Sequence, residues 1–169
     1  MVEETQRLIL EKFSKNDAPF FLELVNSPNW IKYIGDRNTK TIQDAEKRIE
    51  NGHLKSYNTN DFGFYKVLLK AENNKPIGTC GIIKRDELPE VDLGFAFLPE
   101  YEGLGFGFEA SEKVIKLAKN KFNLKKLIAI VTAKNKNSTK LLRKLGFVFK
   151  KDIILFDDAS ELQLFAKKL

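Results

Sequence analysis

Hydrophobic positions recur along this chain at two spacings, and each spacing predicts an element. Residues 5–11 (TQRLILE) alternate as a first strand does. Asn16 and Asp17 stand as caps before a helix over residues 18–25, whose first turn accommodates Pro19. Ser27, Pro28 and Asn29 predict its end, and a mixed stretch over residues 30–40 follows. Thr41 with Asp44 three residues on has the pattern of a capping box and opens a second helix to about residue 54. Residues 62–71 (FGFYKVLLKA) and 76–84 read as a hairpin across a turn at 72–75, and residues 91–98 as a third strand after a turn at 86–90.

The second half changes character. Gly103, Gly105 and Gly107 precede a helix whose Ala110, Val114, Leu117 and Ala118 fall on one face of a 3.6-residue period. Residues 127–133 (LIAIVTA) predict a buried strand. Residues 135–138 read as a loop with caps available, and Leu141, Leu142 and Leu145 line a short helix closed by Gly146. Residues 147–156 and 161–167 are two last strands around a turn at Asp157 and Asp158. The order β-α-α-β-β-β-α-β-α-β-β predicts a mixed sheet with helices on its faces, an α+β (mixed α/β) domain spanning residues 1–169 as one unit.

Composition narrows the chemistry. With 169 residues, 43% hydrophobic, the chain is long enough to bury a core without staples. Cys80 is the one cysteine and His53 the one histidine, so an internal disulfide, a Cys-based zinc site and a multi-His metal centre are excluded, and no metal is expected. No apolar run approaches a membrane span, and residues 1–6 do not read as a signal peptide, so a cytoplasmic location is expected. The net charge of +6 is unevenly spread. Residues 113–151 hold 13 Lys/Arg and no acid, leaving 16 Lys/Arg against 23 acids elsewhere. That run is either a solvated face or a site for a polyanion, nucleic acid or a phosphorylated cofactor. Its aromatic residues, Phe122, Phe147 and Phe149, stand at expected core positions, which gives base stacking little support.

The glycine run is the sharpest motif. A strand, a Gly-rich turn (Gly103-Leu104-Gly105-Phe106-Gly107) and a helix follow one another. Glycines let the turn tighten and let an anion approach its amides, and the helix adds unpaired N–H groups and the positive end of its dipole. Together these describe a pyrophosphate site, although such a turn also occurs without a ligand. Phe108 stands where a dinucleotide fingerprint needs its third glycine, and the Gly-Lys-Ser/Thr of a P-loop is absent.

These pieces, in order, resemble the GNAT superfamily of N-acetyltransferases, nearest its RimJ/RimL-like, ribosomal-protein-alanine acetyltransferase branch. The matching residues are Thr5-Gln6-Arg7-Leu8, Pro76-Ile77-Gly78, Asp92-Leu93-Gly94-Phe95, Pro99, Tyr101, the run from Gly103 to Ala110, Asn135 with Ser138, and Leu145-Gly146-Phe147. The resemblance covers nearly the whole chain. It implies a mostly antiparallel twisted sheet with a splayed strand pair and helices on both faces. It implies acetyl-CoA as donor, its pyrophosphate on the amides of Gly103, Leu104, Gly105, Phe106, Gly107 and Phe108. The pantetheine arm is implied to pair along Phe95, Ala96, Phe97 and Leu98, and Asn135 to bond the cofactor. Trp30, Tyr33 and Asp36 fall in the segment that lines the acceptor pocket.

Three positions depart from the family pattern. Glu102 replaces a Gln or Arg, and Leu142 stands where many relatives carry a tyrosine acid. Ser138 is then either the group that protonates the leaving thiolate or only a helix cap. Asp92 replaces a Glu; it is the candidate base or amine-steering carboxylate, or else a salt-bridged strand-end acid. His53 has a side chain suited to proton transfer but, after Asn51-Gly52, reads rather as a surface or capping residue, Cys80 as buried and structural, and Glu109 as a structural acid on the helix dipole. The expected function is acetyl transfer to a primary amine, a protein N-terminus or a small molecule, by direct attack in a ternary complex. The acidic balance outside residues 113–151 points to a cationic acceptor. The alternatives are a non-catalytic acyl-CoA-binding sensor and a nucleic-acid-binding domain. The expected assembly is a monomer or homodimer.

Overall fold

The computed structural model describes residues 2–155 and 160–169; the expected turn at Asp157 and Asp158 and the strand end at Phe156 lie outside them. Among the described residues eight strands form one sheet: β1 (Val2–Glu4), β2 (Leu8–Lys12), β3 (Phe64–Leu69), β4 (Lys75–Lys84), β5 (Val91–Phe97), β6 (Lys126–Thr132), β7 (Val148–Ile154) and β8 (Glu161–Lys168). Their order is β1-β2-β3-β4-β5-β6-β8-β7. Neighbours are antiparallel except β5 and β6, which run parallel. A parallel pair needs a crossover, and the longest helix, α5 (Phe106–Asn120), supplies it. The mixed, mostly antiparallel architecture is the expected one.

Strand β4 shows how the sheet is covered. Ile77 to Ile82 are all buried, so both faces of β4 are packed. Cys80 faces α5, its Sγ 3.6 Å from Ser111 Oγ, and α5 packs Ala110, Val114 and Ala118 into the same core. On the opposite face lie α1 (Ala18–Val25), α2 (Pro28–Tyr33), α3 (Ile42–Arg48) and α4 (Lys55–Asn60). Phe13, Phe21, Val25, Ala45 and Ile49 form a smaller core among them.

Four boundaries differ from the pattern-based reading. The first strand is two strands in a tight hairpin: Thr5 Oγ1 accepts the Leu8 N–H at 3.0 Å, and the Thr5 N–H donates to the Leu8 carbonyl at 3.0 Å. Ser27-Pro28 ends α1 but also starts α2, because proline at a helix's first position gives up an N–H that has no helical partner there. The capping box at Thr41 and Asp44 is present, but the helix does not stop near residue 54. It widens through a π-helical turn over Ile49–Leu54 and continues as α4. Finally α6 (Lys136–Lys144) begins inside the expected 135–138 loop, with Asn135 as its cap.

Candidate active site

The site opens where β5 and β6 part. These strands share a single paired position, Asp92 with Ile128, and beyond it β6 pairs with β8 alone. Leu98 donates its main-chain N–H to Ile77 of β4 at 2.9 Å. Antiparallel pairing alternates, so Ala96, Gly94 and Asp92 also turn their main-chain groups to β4. Phe95 and Phe97 therefore turn theirs into the gap, where no strand meets them. This is the splay the resemblance implied.

At the far end of β5 lies the glycine cradle. Gly103 (φ +72°) and Gly105 (φ +84°) adopt the left-handed backbone that glycine takes without strain. The first helical bond of α5 runs from the Glu109 N–H to the Gly105 carbonyl at 3.1 Å. The N–H groups of Phe106, Gly107 and Phe108 therefore have no helical acceptor, and they sit at the positive end of a fifteen-residue helix. Gly107 lets Leu141 approach closely: a Cβ there would lie 3.1 Å from Leu141 Cδ2, and that side chain would have to give by a few tenths of an ångström. The carboxylate of Glu102 does not face the cradle unsatisfied, since Asn29 Nδ2 donates to Glu102 Oε2 at 2.6 Å.

Arg7 braces the cradle from the first hairpin. Its Nη1 donates to the Leu104 carbonyl at 3.1 Å, its Nε to Glu109 Oε2 at 2.6 Å, and its guanidinium lies 4.4 Å from the centre of the Phe106 ring. Glu109 also accepts from the Arg7 main-chain N–H and from Thr5 Oγ1, so its structural role is realised by tying two distant segments together.

A cleft of about 480 Å³ occupies the α1–α4 side of the splay. It brings together Asp92, Phe95 and Ala96 of β5, Asn135 and Ser138 at the start of α6, and Trp30 and Tyr33 of α2. Phe97 and Leu98 are buried and carry β5 on toward the cradle; Phe97 packs over Gly78, where a Cβ would clash with its ring. Asp36 does not join the cleft: its carboxylate accepts from Lys40 Nζ at 3.0 Å and from the Asn38 N–H at 2.8 Å. Asn135 Oδ1 accepts the Ser138 N–H at 3.2 Å, so the cap is Asn135 and the Ser138 hydroxyl is not committed to capping.

Asp92 is 2% exposed. Burial pushes its carboxyl up to about 6, against the Arg85 charge and hydrogen bond, which hold it lower than burial alone would. Arg85 Nε donates to Oδ2 at 2.8 Å. The Ile130 main-chain N–H also favours the charged form, but it does not reach hydrogen-bond geometry with Oδ1, which is buried without a partner.

His53 is not a surface cap. The π-helical turn swings it into the cleft, its ring 4.4 Å from that of Phe13, 5.0 Å from Phe21 and 6.3 Å from Phe64. Burial, reinforced by the Arg48 charge, lowers its pKa to about 4, so it is neutral at physiological pH. Sequence reading also missed Arg37, Arg48, Arg85 and Thr132 as cleft residues. Nothing local marks them; only the buried, partnerless Thr132 Oγ1 and the Arg85–Asp92 pair, visible in three dimensions, do so.

Residues 7–148 match the acetyltransferase (GNAT) domain. The chain belongs to the GNAT acetyltransferase family. It is thus an acyltransferase. Among its relatives, the uncharacterized N-acetyltransferase p20 of Bacillus licheniformis is 29% identical over 146 residues, covering 85% of this chain and 80% of the relative. The fold superposes on a ribosomal-protein-alanine acetyltransferase from Vibrio fischeri with a TM-score of 0.82 at 20% identity, covering 99% of this chain and 96% of that one. It also superposes on the self-immunity acetyltransferase MccE in complex with acetyl-CoA and AMP, with a TM-score of 0.82 at 17% identity and coverage of 98% and 94%. Residues 95–108 of this chain present an unpaired strand edge followed by main-chain N–H groups without a helical acceptor.

Proposed function

We propose that this protein transfers the acetyl group of acetyl-CoA to a primary amine, on a protein N-terminus or a small molecule, by direct attack. The observation that carries the proposal is the continuity of three features along one strand. Asp92 lies near one end of β5, unpaired main-chain groups at Phe95 and Phe97 toward its other end, and the open N-terminus of α5 beyond that. Diphosphate fits the cradle because its donors are main-chain N–H groups with no other acceptor. The pantetheine arm fits the gap because it can pair as an added strand.

Each chain residue then has a task. Asp92, ionised above pH about 6, takes the proton from the incoming ammonium, directly or through a water, through its unpartnered Oδ1. A base of this kind typically contributes ~10²–10⁴-fold. The neutral nitrogen attacks the thioester carbonyl carbon; a C–N bond forms and the C–S bond breaks. A main-chain N–H of Phe95 or Phe97 faces the developing oxyanion, an interaction worth ~10²–10³-fold. The Ser138 hydroxyl donates to the leaving thiolate, and the proton that the new amide nitrogen sheds as the intermediate collapses restores it through water. Trp30 and Tyr33 wall the acceptor side, which we place in a cytoplasmic enzyme.

Two measurements test the reading. Acetyl-CoA should raise the melting temperature, and free thiol should then accumulate with some member of a panel of amines and peptides. A melting shift without turnover across the panel would indicate a sensor; no shift would remove the donor site.

A further inference from the structure

Helix α6 shows three flanks, and two of them have a task. Successive side chains turn by roughly 100° along a helix, so Leu141 and Lys144 share one flank, Ser138 and Leu142 a second, and Lys136, Thr139, Lys140 and Arg143 a third. The first flank faces α5: a Cβ on Gly107 would lie 3.1 Å from Leu141 Cδ2, and Lys144 Nζ lies 4.4 Å from the centre of the Phe108 ring. The second lines the cleft. The third faces neither the cradle nor the cleft. It walls a separate groove of about 330 Å³, completed by Gln163 of β8.

This groove is cationic and its charge is unspent. Lys136, Lys140 and Arg143 are exposed, and among the described residues none of them enters an ion pair. Other members of the same acid-free run are taken: Lys113 and Lys121 pair with Glu3, and Lys126 with Glu90. Thr139 Oγ1 is turned to the Asn135 carbonyl at 3.1 Å, which leaves the three cations and Gln163 as the open polar groups. Along α6, Lys136 and Lys140 stand about 6 Å apart and Arg143 about 4.5 Å further on. Side chains on one side of an extended peptide recur every ~6.6 Å, so successive acidic residues of such a chain meet successive cations.

The groove is also short. Asp152 pairs with Gln163 in the β7–β8 register, and Glu161 precedes Gln163 by two, so both stand on the same sheet face. They repel an anion that runs on past α6, as a nucleic-acid backbone would. Phe149 and Ile154 are exposed on that face of β7, and they suit the apolar side chains of a peptide rather than a phosphodiester strand.

We propose that the groove between α6 and β8 docks a short acidic segment of a partner protein, with carboxylates on Lys136, Lys140 and Arg143 and apolar side chains on Phe149 and Ile154. It is separate from the donor cradle and from the cleft, so the proposal stands independently of the acetyl-transfer reading.

Fluorescence anisotropy tests it on the full chain. The probes are a labelled peptide with Glu at alternate positions and Leu beyond them, the same peptide with Gln for Glu, and a single-stranded RNA of equal charge. The Glu peptide should bind, less tightly as salt rises, and the Gln peptide should be weaker by about tenfold or more. Lys136→Gln, Lys140→Gln and Arg143→Gln together should weaken the Glu peptide by roughly tenfold, the loss of three exposed charge pairs. Lys116→Gln, Lys119→Gln and Lys125→Gln together remove the same charge elsewhere and should change it by less than about twofold. All six side chains are exposed, so both variants should keep the wild-type circular dichroism. Absence of Glu-peptide binding, equal losses in the two variants, or tighter binding of the RNA would overturn the proposal. So would displacement of the peptide by CoA, which would give the groove to the donor, or a dimer lost in the groove variant alone, which would give it to a second copy.

Discussion

Replacing Arg85 by glutamine should move the pH dependence of catalysis rather than abolish it. Asp92 is balanced between two opposing influences: burial raises its carboxyl, and the Arg85 guanidinium 2.8 Å away lowers it, leaving it at about 6. An opposite charge at this distance typically lowers a carboxyl by ~1–3 units. Removing it should carry Asp92 to roughly 7–9. The carboxylate is the active form, so the rate climbs with pH through its pKa. At pH 7 the wild type is about nine-tenths ionised, whereas the variant falls to between about half and one hundredth. Turnover at pH 7 should therefore drop roughly 2- to 100-fold and recover above pH 9. The assay is thiol release from pH 5 to 9.5, wild type and variant, with one acceptor. The acceptor's own ionisation is common to both profiles, so the displacement between their acidic limbs reports Asp92. Coincident limbs would refute the assignment of Asp92 as base. A limb that persists in Asp92→Asn would do the same.

Two further predictions follow from burial and backbone geometry. Gly105→Val places a branched side chain at φ +84° with its Cβ 3.2 Å from Arg7 Nη2, so acetyl-CoA binding measured by calorimetry should be lost while circular dichroism shows a folded protein. Retained binding would remove the cradle from residues 103–108. Cys80 is fully buried with its thiol pushed up to about 12, so iodoacetamide should leave the native protein unlabelled and fully active, and modify Cys80 only after denaturation.

Patterning disclosed the elements whose causes are local. The capping box at Thr41, the apolar stripe of α5 and the β3–β4 hairpin all depend on neighbours within a few residues, and they stand where the sequence placed them. The cradle was legible for the same reason, since its glycines fall at every second position and the positive φ angles of Gly103 and Gly105 are local needs. The wall of the cleft was not. Asn51-Gly52 looks like a helix end because glycine is costly in a helix interior, by ~1 kcal/mol. The π-helical turn carries the chain through it, and that turn delivers His53 to the cleft. Arg37, Arg48 and Arg85 are 11 and 37 residues apart in sequence and look like surface residues; only the packing of α2 and α3 over β4 and β5 makes them neighbours. Asp36 illustrates the converse: it shares a segment with Trp30 and Tyr33, yet Lys40 and Asn38 hold it away from the cleft.

The brace at Arg7 explains why the cradle presents donors rather than acceptors. A turn exposes carbonyls as readily as amides, and a carbonyl facing a diphosphate would repel it. Here the Leu104 carbonyl is occupied by Arg7 Nη1, and the Gly105 carbonyl by the Glu109 N–H. The remaining open groups at the head of α5 are N–H donors. Glu109 makes the arrangement rigid by receiving Thr5 Oγ1, the Arg7 main-chain N–H and Arg7 Nε, and its charge sits favourably in the first turn of α5. Burial alone would raise the Glu109 carboxyl, yet these donors and the Arg7 charge leave it below the ordinary range, so it stays ionised throughout the physiological range. The first hairpin is thus part of the proposed donor site although it contributes nothing to the glycine motif. That is why Thr5-Gln6-Arg7-Leu8 and the turn belong to one pattern despite about a hundred intervening residues.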